Sequence, residues 1–475
     1  MDTKKIGAFL KQCRKEKNLT QEQLAEKFGV SARTVSRWET GSNMPDLSIL
    51  VELADYYDIE IKELLDGERS STMNKEMKET IEMLANRIES IVINIYKHLH
   101  QHPEPSFAEK ETADFIEEIL QGENIPYRKN IGGYGILARV EGKNPTSRII
   151  GLRADMDALL IEEANNVPFR SVNPHVMHAC GHDAHTACLL GAAMILNRMR
   201  EIIEGTVLLI FQPGEEKAPG GANLMLQDGI FDDIKPDIMI AQHTNTDIAC
   251  GDVAFGSGCV MASADEIHLT VRGKGGHGAM PHRINDTVLA ASQIVVSLQQ
   301  IISRRRNPFV PAVLTFGRFI ADGATNIIPD QVSLSGTFRC MDEKERIRLK
   351  ELIRNTIKAT AEAYGCSCDI HLPNGYPAVI NDPIVTESAR KFAEELLGDN
   401  HVGKMEKRMT SEDFGFFAER IPSTFYRLGV KGPSNPECGE QHTAHFLIDE
   451  SALKTGVKML AWLSLRFLDK NIRIR

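Results

Sequence analysis

Between residues 177 and 185 the chain reads Met177-His178-Ala179-Cys180-Gly181-His182-Asp183-Ala184-His185, three histidines, a thiol and a carboxylate within nine residues. Side chains of these types close together are the ones that hold a divalent cation. Cys180 and His182 lie two apart. In an extended segment such positions share a face, so thiolate and imidazole would point at one ion, with Gly181 allowing close backbone approach. Downstream, Glu215-Glu216 follows Phe211-Gln212-Pro213-Gly214, at the end of an apolar run that reads as a buried strand. Two adjacent carboxylates there are costly unless a cation or a proton relieves them. His243 closes a strand expected from Asp237, and His442 falls in a loop before Leu447. These residues together predict a metal site for hydrolysis.

The 475 residues exceed one hydrophobic core, and at roughly 150 residues per domain they suggest about three domains. A composition 42% hydrophobic and 25% charged is that of a folded chain. The net charge of -10 argues against a surface that coats DNA or hugs a membrane, though not against a small basic module. Nine cysteines without regular spacing make a disulfide framework a poor reading. Met1-Asp2-Thr3-Lys4-Lys5 leads into a charged segment, and no run approaches the roughly 18 apolar residues of a spanning helix. A cytoplasmic protein with no membrane partner is expected.

Residues 1–66 read as five short helices. Ile6, Phe9, Leu10 and Cys13 form a stripe at helical spacing. Thr20 and Gln23 make a capping box before Leu24, Ala25 and Phe28. Gly29 ends that helix, and Ser31 caps the next, which carries Val35 and Trp38. Two helices joined by a tight glycine turn are the helix-turn-helix signature. The strings Leu19-Thr20-Gln21-Glu22-Gln23-Leu24-Ala25, Gly29-Val30-Ser31 and Val35-Ser36-Arg37-Trp38-Glu39-Thr40-Gly41, with Pro45, resemble Cro/phage-repressor-type DNA-binding domains. That resemblance implies a recognition helix opening at Ser31, with Ala32, Arg33, Thr34 and Arg37 toward base edges of double-stranded DNA and Gln21 at a phosphate. Lysines and arginines cluster before residue 40 and acids after residue 45, so one face can be basic although the whole chain is acidic.

Residues 67–74 are small, polar and unpatterned, as a linker would be. Strand and helix patterns then alternate over 75–262, predicting an α/β sheet with its site at strand ends. The histidines of His98-Leu99-His100-Gln101-His102, at a helix end before Pro103, read as caps and hydrogen-bonding groups rather than ligands. Over 263–376, strands at 266–273, 312–317, 332–339 and 367–372 and helices at 286–303 and 343–364 give a β-α-β-β-α-β order, the ferredoxin-like arrangement. Residues 377–475 return to α/β character. The expected architecture is a multidomain chain: an all-α helix-turn-helix domain, an α/β catalytic domain in two parts, and an inserted ferredoxin-like α+β lid and dimerisation domain.

Cys-x-His alone is a weak signal. It gains weight beside Asp155-Met156-Asp157-Ala158-Leu159, Phe211-Gln212-Pro213-Gly214-Glu215-Glu216, Gly273-Lys274-Gly275-Gly276-His277, Ser411-Glu412-Asp413-Phe414 and His442-Thr443-Ala444-His445-Phe446. This set, in this order over residues 80–470, resembles the bacterial and plant metallo-amidohydrolases that include hippurate hydrolases, N-acetyl-amino-acid deacylases and auxin-conjugate hydrolases, zinc-peptidase-like members of the aminoacylase/carboxypeptidase superfamily. The resemblance implies a homodimer with two divalent metal ions held by Cys180, His182, Glu216, His243 and His442. It implies Glu215 as general base, and His277, Asn326 and Arg339 as lid residues that meet the substrate carboxylate or the oxyanion, the histidine coming in such dimers from the other subunit. Zn2+ suits the mixed thiolate, imidazole and carboxylate set, with Mn2+, Ni2+ or Co2+ as alternatives. His178, His185 and His445 read as supporting residues, and Cys188, Cys250 and Cys259 as buried small apolar groups. The chain departs from the family pattern at Leu159-Leu160, Thr410 and Ala444, which touch turns and remove no ligand.

Two functions of different class follow. One is a metal-dependent amidohydrolase cleaving N-acyl amino acids or related small conjugates, joined to a DNA-binding domain. The other is a transcriptional regulator whose amidohydrolase-like domain only senses a ligand.

Overall fold

The computed structural model describes residues 2–57, 59, 61–67, 72–435, 437–469 and 472. It divides into two compact units, residues 1–82 and 83–475. Of the expected linker 67–74, residues 68–71 lie outside the described residues, and the last three open a helix, so the polar composition there hides a helical start.

The first unit holds helices α1 (Thr3–Glu16), α2 (Gln21–Lys27), α3 (Ala32–Glu39), α4 (Leu47–Tyr57) and α5 (Ile61–Asp66). α6 (Thr72–Gln101) begins in it. The stripe Ile6, Phe9, Leu10 and Cys13 is buried against Leu24, Val35, Trp38 and Leu53. Thr20 and Gln23 form the reciprocal capping box, and Ser31 caps α3 through the Thr34 amide. Beneath the turn, Arg14 reaches Glu39 at 2.5 and 3.0 Å, and Gln21 Nε2 donates to Glu39 Oε2 at 2.7 Å. A buried guanidinium–carboxylate pair of this kind orients α1 against α3 more than it stabilises them.

In the second unit, α7 (Lys110–Gly122) precedes β1 (Tyr127–Ile131), β2 (Gly135–Glu141) and β3 (Ile149–Asp155). α8 (His182–Arg198), β4 (Thr206–Gln212), α9 (Gly221–Gln227), β5 (Ile238–Ala249), β6 (Val253–Phe255) and β7 (Gly258–Met261) follow. β4 is buried at every position, as a strand covered on both faces must be. β8 (Ser263–Arg272) instead alternates buried and open residues. After β9 (Gly276–His277) come α10 (Thr287–Gln300), β10 (Ala312–Ile320), β11 (Ile327–Ile328), β12 (Gln331–Cys340), α11 (Glu343–Ala363) and β13 (Ser367–His371). The chain ends with β14 (Val379–Asn381), α12 (Pro383–Leu397), β15 (Val402–Lys404), α13 (Gly415–Ala418), β16 (Ser423–Lys431) and α14 (Ser451–Leu468).

The large sheet has the order β1-β2-β4-β3-β5-β16-β6-β15, parallel from β4 to β16 and antiparallel at β1–β2, β2–β4 and β16–β6. A separate antiparallel sheet, β10-β12-β8-β13, packs the buried side of β8 and β12 on α10 and α11 through Ile267, Leu269, Leu334, Ile294 and Ile353. Among the described residues, no helix is long and apolar enough to cross a membrane.

Asp265 anchors this smaller sheet. Its carboxylate accepts from Arg346 at 2.7 and 2.8 Å, from Lys350 at 2.7 Å and from the Gly375 amide at 3.0 Å. Burial alone would raise its pKa, but Arg346 and then Lys350 outweigh burial and hold it below the ordinary carboxylate value. The unfolded carboxyl titrates near about 3.9, so the stabilisation is complete above that pH and is lost as acid carries the group through its lower folded value. Asp265→Asn should destabilise the smaller sheet by about 3 kcal/mol at neutral pH, and less below about pH 4. Hydrogen exchange of the β8 and β12 amides across that range measures it.

Candidate metal centre

His182 opens α8, so Cys180-Gly181-His182 is a helix entry rather than an extended segment. Gly181 stands at φ 87°, where an added Cβ would sit 2.6 Å from Thr244 Oγ1. The turn into the helix, not strand alternation, brings Cys180 and His182 together. β5 continues to Ala249, which leaves His243 inside a strand rather than at its end.

Among the described residues donor atoms gather in five overlapping sets, two of which share Cys180. The donors of Cys180, His182 and His243 lie within 4.8 Å of one another, as do those of Cys180, Glu216 and His442. Cys180 belongs to both. Its sulfur is 3.6 Å from His243 Nε2, and Glu216 Oε1 is 3.1 Å from His442 Nε2 and 3.9 Å from His182 Nε2. Neighbours choose the free nitrogen of each ring. His182 Nδ1 meets the Asp157 carbonyl at 2.9 Å and Asp157 Oδ1 at 3.2 Å, and His243 Nδ1 meets the Thr244 carbonyl at 2.9 Å. His182 Nε2 is buried without a hydrogen bond, as an atom awaiting a cation would be. A thiolate shared between two sets of nitrogen and oxygen donors fits a pair of divalent ions.

The local charge agrees. Burial, and then His185, hold His243 well below the ordinary histidine value, whereas at His182 burial is outweighed by Asp155 and then Cys180, which raise it well above. Cys180, then Glu216, push His442 up to about 10, the mark of an anionic pocket. Glu215 lies among Glu412, Glu216 and Asp413, and burial first and then these neighbours raise it well above the ordinary carboxylate value. Its backbone carbonyl accepts from Tyr376 at 2.8 Å.

The other histidines differ. His185 has both ring nitrogens occupied, by Asp155 at 2.5 Å and by the Thr244 amide at 2.9 Å, which leaves none for a metal. His100 is buried between Asp183 at 2.7 Å and Glu163 at 3.1 Å, and His102 caps the His98 carbonyl. His178 is buried with neither nitrogen hydrogen-bonded, and it joins neither cluster. Cys188 is buried as expected, but Cys250 and Cys259 are part-exposed at strand ends.

His277 and Asn326 lie together, the Gly278 amide donating to the Asn326 carbonyl at 2.8 Å, both exposed on the short β9–β11 ribbon. Among the described residues, neither side chain bonds to the Cys180 clusters. Arg339 donates to Ser411 Oγ at 2.5 Å, next in the chain to Glu412. In the first unit Ser31, Arg33 and Arg37 are exposed, and Ala32 and Thr34 half-buried. Gln21 spends its side-chain amide on Glu39.

Sequence patterns left Arg153, Asp155, Asp157, Gln212, Glu412 and Asp413 without roles. A signal for them existed: Arg153 interrupts the apolar run Ile149-Ile150-Gly151-Leu152, and a buried charge demands partners. It finds Gln212 at 2.8 Å, Asp155 at 2.6 Å, and Glu412 and Asp413 both at 2.9 Å.

A mixed α/β sheet carrying two adjoining donor clusters with a buried carboxyl beside them defines a metallohydrolase-like protein. Residues 151–466 match Peptidase family M20/M25/M40, to which the chain belongs, and residues 10–64 match a helix-turn-helix family. The chain is 36% identical over 389 residues to the N-acetyl-L-cysteine deacetylase of Bacillus subtilis, covering 81% of this chain and 90% of that protein. It is 40% identical over 304 residues to the N-acyl-L-amino acid amidohydrolase of Geobacillus stearothermophilus, 64% of this chain and 81% of that one. A Bacillus subtilis dinuclear metal binding peptidase of the M20 family matches with a TM-score of 0.70 at 32% identity, over 81% of this chain and 99% of its own.

Asp157→Asn should weaken metal binding at the centre by about 10-fold, because the His182 ring loses the negative charge beside it while the Asp157 carbonyl still fixes its tautomer. Competition with a chelator of known affinity, on the full chain, measures this.

Proposed function

We propose that the chain is a metal-dependent amidohydrolase that cleaves the amide bond of N-acylated amino acids or similar small conjugates, and that its first unit binds double-stranded DNA. The observation that carries the enzymatic reading is Cys180 shared between two donor clusters, with Glu215 poised at their edge. A protein that only sensed a ligand would have no use for Glu215, whereas every donor and that carboxyl are present.

Cys180, His182 and His243 would hold one ion, and Cys180, Glu216 and His442 the other, zinc suiting the mixed donor set best. Such ions supply Lewis acidity, polarising the amide carbonyl and making water acidic. The chain's own groups do the rest. Glu215, raised by burial and by its carboxylate neighbours, takes a proton from the attacking water and returns it to the departing amine nitrogen. Tyr376 fixes the Glu215 backbone, and Asp157 holds both the His182 ring and the Glu216 amide, the latter at 3.0 Å. Preorganised groups of this kind need no rearrangement as charge develops.

The β10-β12-β8-β13 sheet with α10 and α11 is a ferredoxin-like lid and dimerisation domain in this reading, its boundaries near 263 and 376, between catalytic parts 75–262 and 377–475. Arg339 would bind the substrate carboxylate. His277 and Asn326, exposed and unconnected to the clusters of their own chain, would serve the site of a partner subunit in a homodimer. The exposed Arg33 and Arg37 of α3 would read bases in DNA, with Ser31, Ala32 and Thr34 at the helix entry. Gln21 would meet a phosphate through its backbone amide, since its side chain holds Glu39. A cytoplasmic setting suits both activities.

Hippurate, N-acetyl-amino acids and aminobenzoyl-glutamate, each supplied with zinc or manganese, test the reading; no turnover of any of them would sink it. Glu215→Ala should lower turnover by about 10²- to 10⁴-fold while metal content, read by elemental analysis, is unchanged. Arg33→Ala should weaken binding to a selected operator by about 1–3 kcal/mol and leave binding to random DNA nearly unaltered, as a titration of both duplexes would show.

A further inference from the structure

Arg427 is 2% exposed, on β16 directly opposite His243 of β5 in the parallel register. Every other buried guanidinium described above faces a carboxylate: Arg14 has Glu39, Arg153 has Asp155, Glu412 and Asp413, and Arg346 has Asp265. Arg427 has none. Among the described residues its one hydrogen bond runs from Nη2 to the Met261 sulfur at 3.2 Å, and its Nε is buried with no partner. The guanidinium lies 5.1 Å from the centre of the Phe425 ring, which is itself 5.8 Å from the His243 ring. Arg408 adds positive charge nearby. It is held by Asn245 Oδ1 at 3.2 Å, Asp247 Oδ2 at 3.0 Å and Gln441 Oε1 at 3.4 Å, and Gln441 Nε2 lies 3.3 Å from His243 Nδ1.

A buried cation with no counter-charge is expensive, and folding gains nothing from it. Cys180 and Glu412 act on it only through space, and burial followed by Arg408 lowers its pKa to about 10, which leaves it charged at neutral pH. The missing partner is then an anion that arrives from outside. Planar bidentate recognition of a carboxylate is the interaction a guanidinium does best.

We propose that Arg427 forms an anion subsite beside the metal centre and selects N-acyl amino acids that carry a second carboxylate, on the amino-acid side chain or on the acyl chain. This rests on the amidohydrolase reading of the same centre. The α-carboxylate, common to all such substrates, goes to Arg339; the second one seats on Arg427. The position accounts for an arginine in an otherwise apolar strand, Phe425-Tyr426-Arg427-Leu428.

The test compares matched pairs on the metal-loaded full chain: N-acetylglutamate with N-acetylglutamine, and N-succinylalanine with N-succinamoylalanine. The wild type should favour the charged member of one pair by about 100-fold in kcat/KM, and which pair shows whether the carboxylate comes from the amino acid or the acyl chain. Arg427→Met should bring that ratio close to one, with Arg427→Lys between. Calorimetry of the favoured dianion with metal-free protein should show weaker binding to Arg427→Met. The Tm of Arg427→Met should equal or exceed that of the wild type, because an uncompensated buried charge has gone. Ratios near one in both wild-type pairs overturn the proposal. So does an equal loss on charged and neutral members, which would place the α-carboxylate on Arg427, or a large fall in Tm with the ratio kept, which would make the residue structural. Arginine-dependent binding of the dianion without hydrolysis of any amide would keep the subsite and discard the amidohydrolase reading; hydrolysis without charge preference would do the reverse.

Discussion

Arg153 stands near the end of β3 with its guanidinium surrounded by Asp155, Glu412, Asp413 and the Gln212 amide oxygen. Glu412 lies 259 residues further along the chain, beyond the smaller sheet and its helices. The interaction therefore ties the first part of the α/β unit to the part that follows the smaller sheet. Its direction is set by charge: three carboxylates are costly to bury together without a cation among them, and this arginine is costly to bury without them. Asp413 also accepts from Gln212 and from the Ala222 amide, so the loop that follows β4, with Glu215 and Glu216, is held from the same point.

From that anchor outward the negative charge continues. Glu215, Glu216, Cys180 and the aspartates behind His182 and His185 are more acid than the local arginine can balance. The ring nitrogens and oxygens left over at the centre are the atoms a pair of cations would satisfy. Arg427 is the same logic with the sign reversed, a buried positive group across His243 with no acid of its own.

The helix-turn-helix unit solves a smaller problem. Its core is apolar, and the buried ion pair of Arg14 with Glu39 draws in Gln21 and so ties the start of α2 to the end of α3. Arg33 and Arg37 are left exposed on α3.

Much of this was legible in the residues. The caps at Thr20 and Ser31, the apolar stripe of α1 and the alternation of β8 are local effects, set by hydrogen-bonding reach and side-chain period, and the folded chain follows them. The donor types around Cys180, and Glu215-Glu216 after a buried strand, were likewise readable, because few other chemistries need them. The entry of α8 at His182 was not, since a left-handed Gly181 and its packing on Thr244 decide it. The roles of Asp157, Arg153 and Arg427 were not readable either. Burial turns a charge into a demand for a partner, and burial is a property of the packed sheet, which joins residues hundreds of positions apart that no local pattern connects.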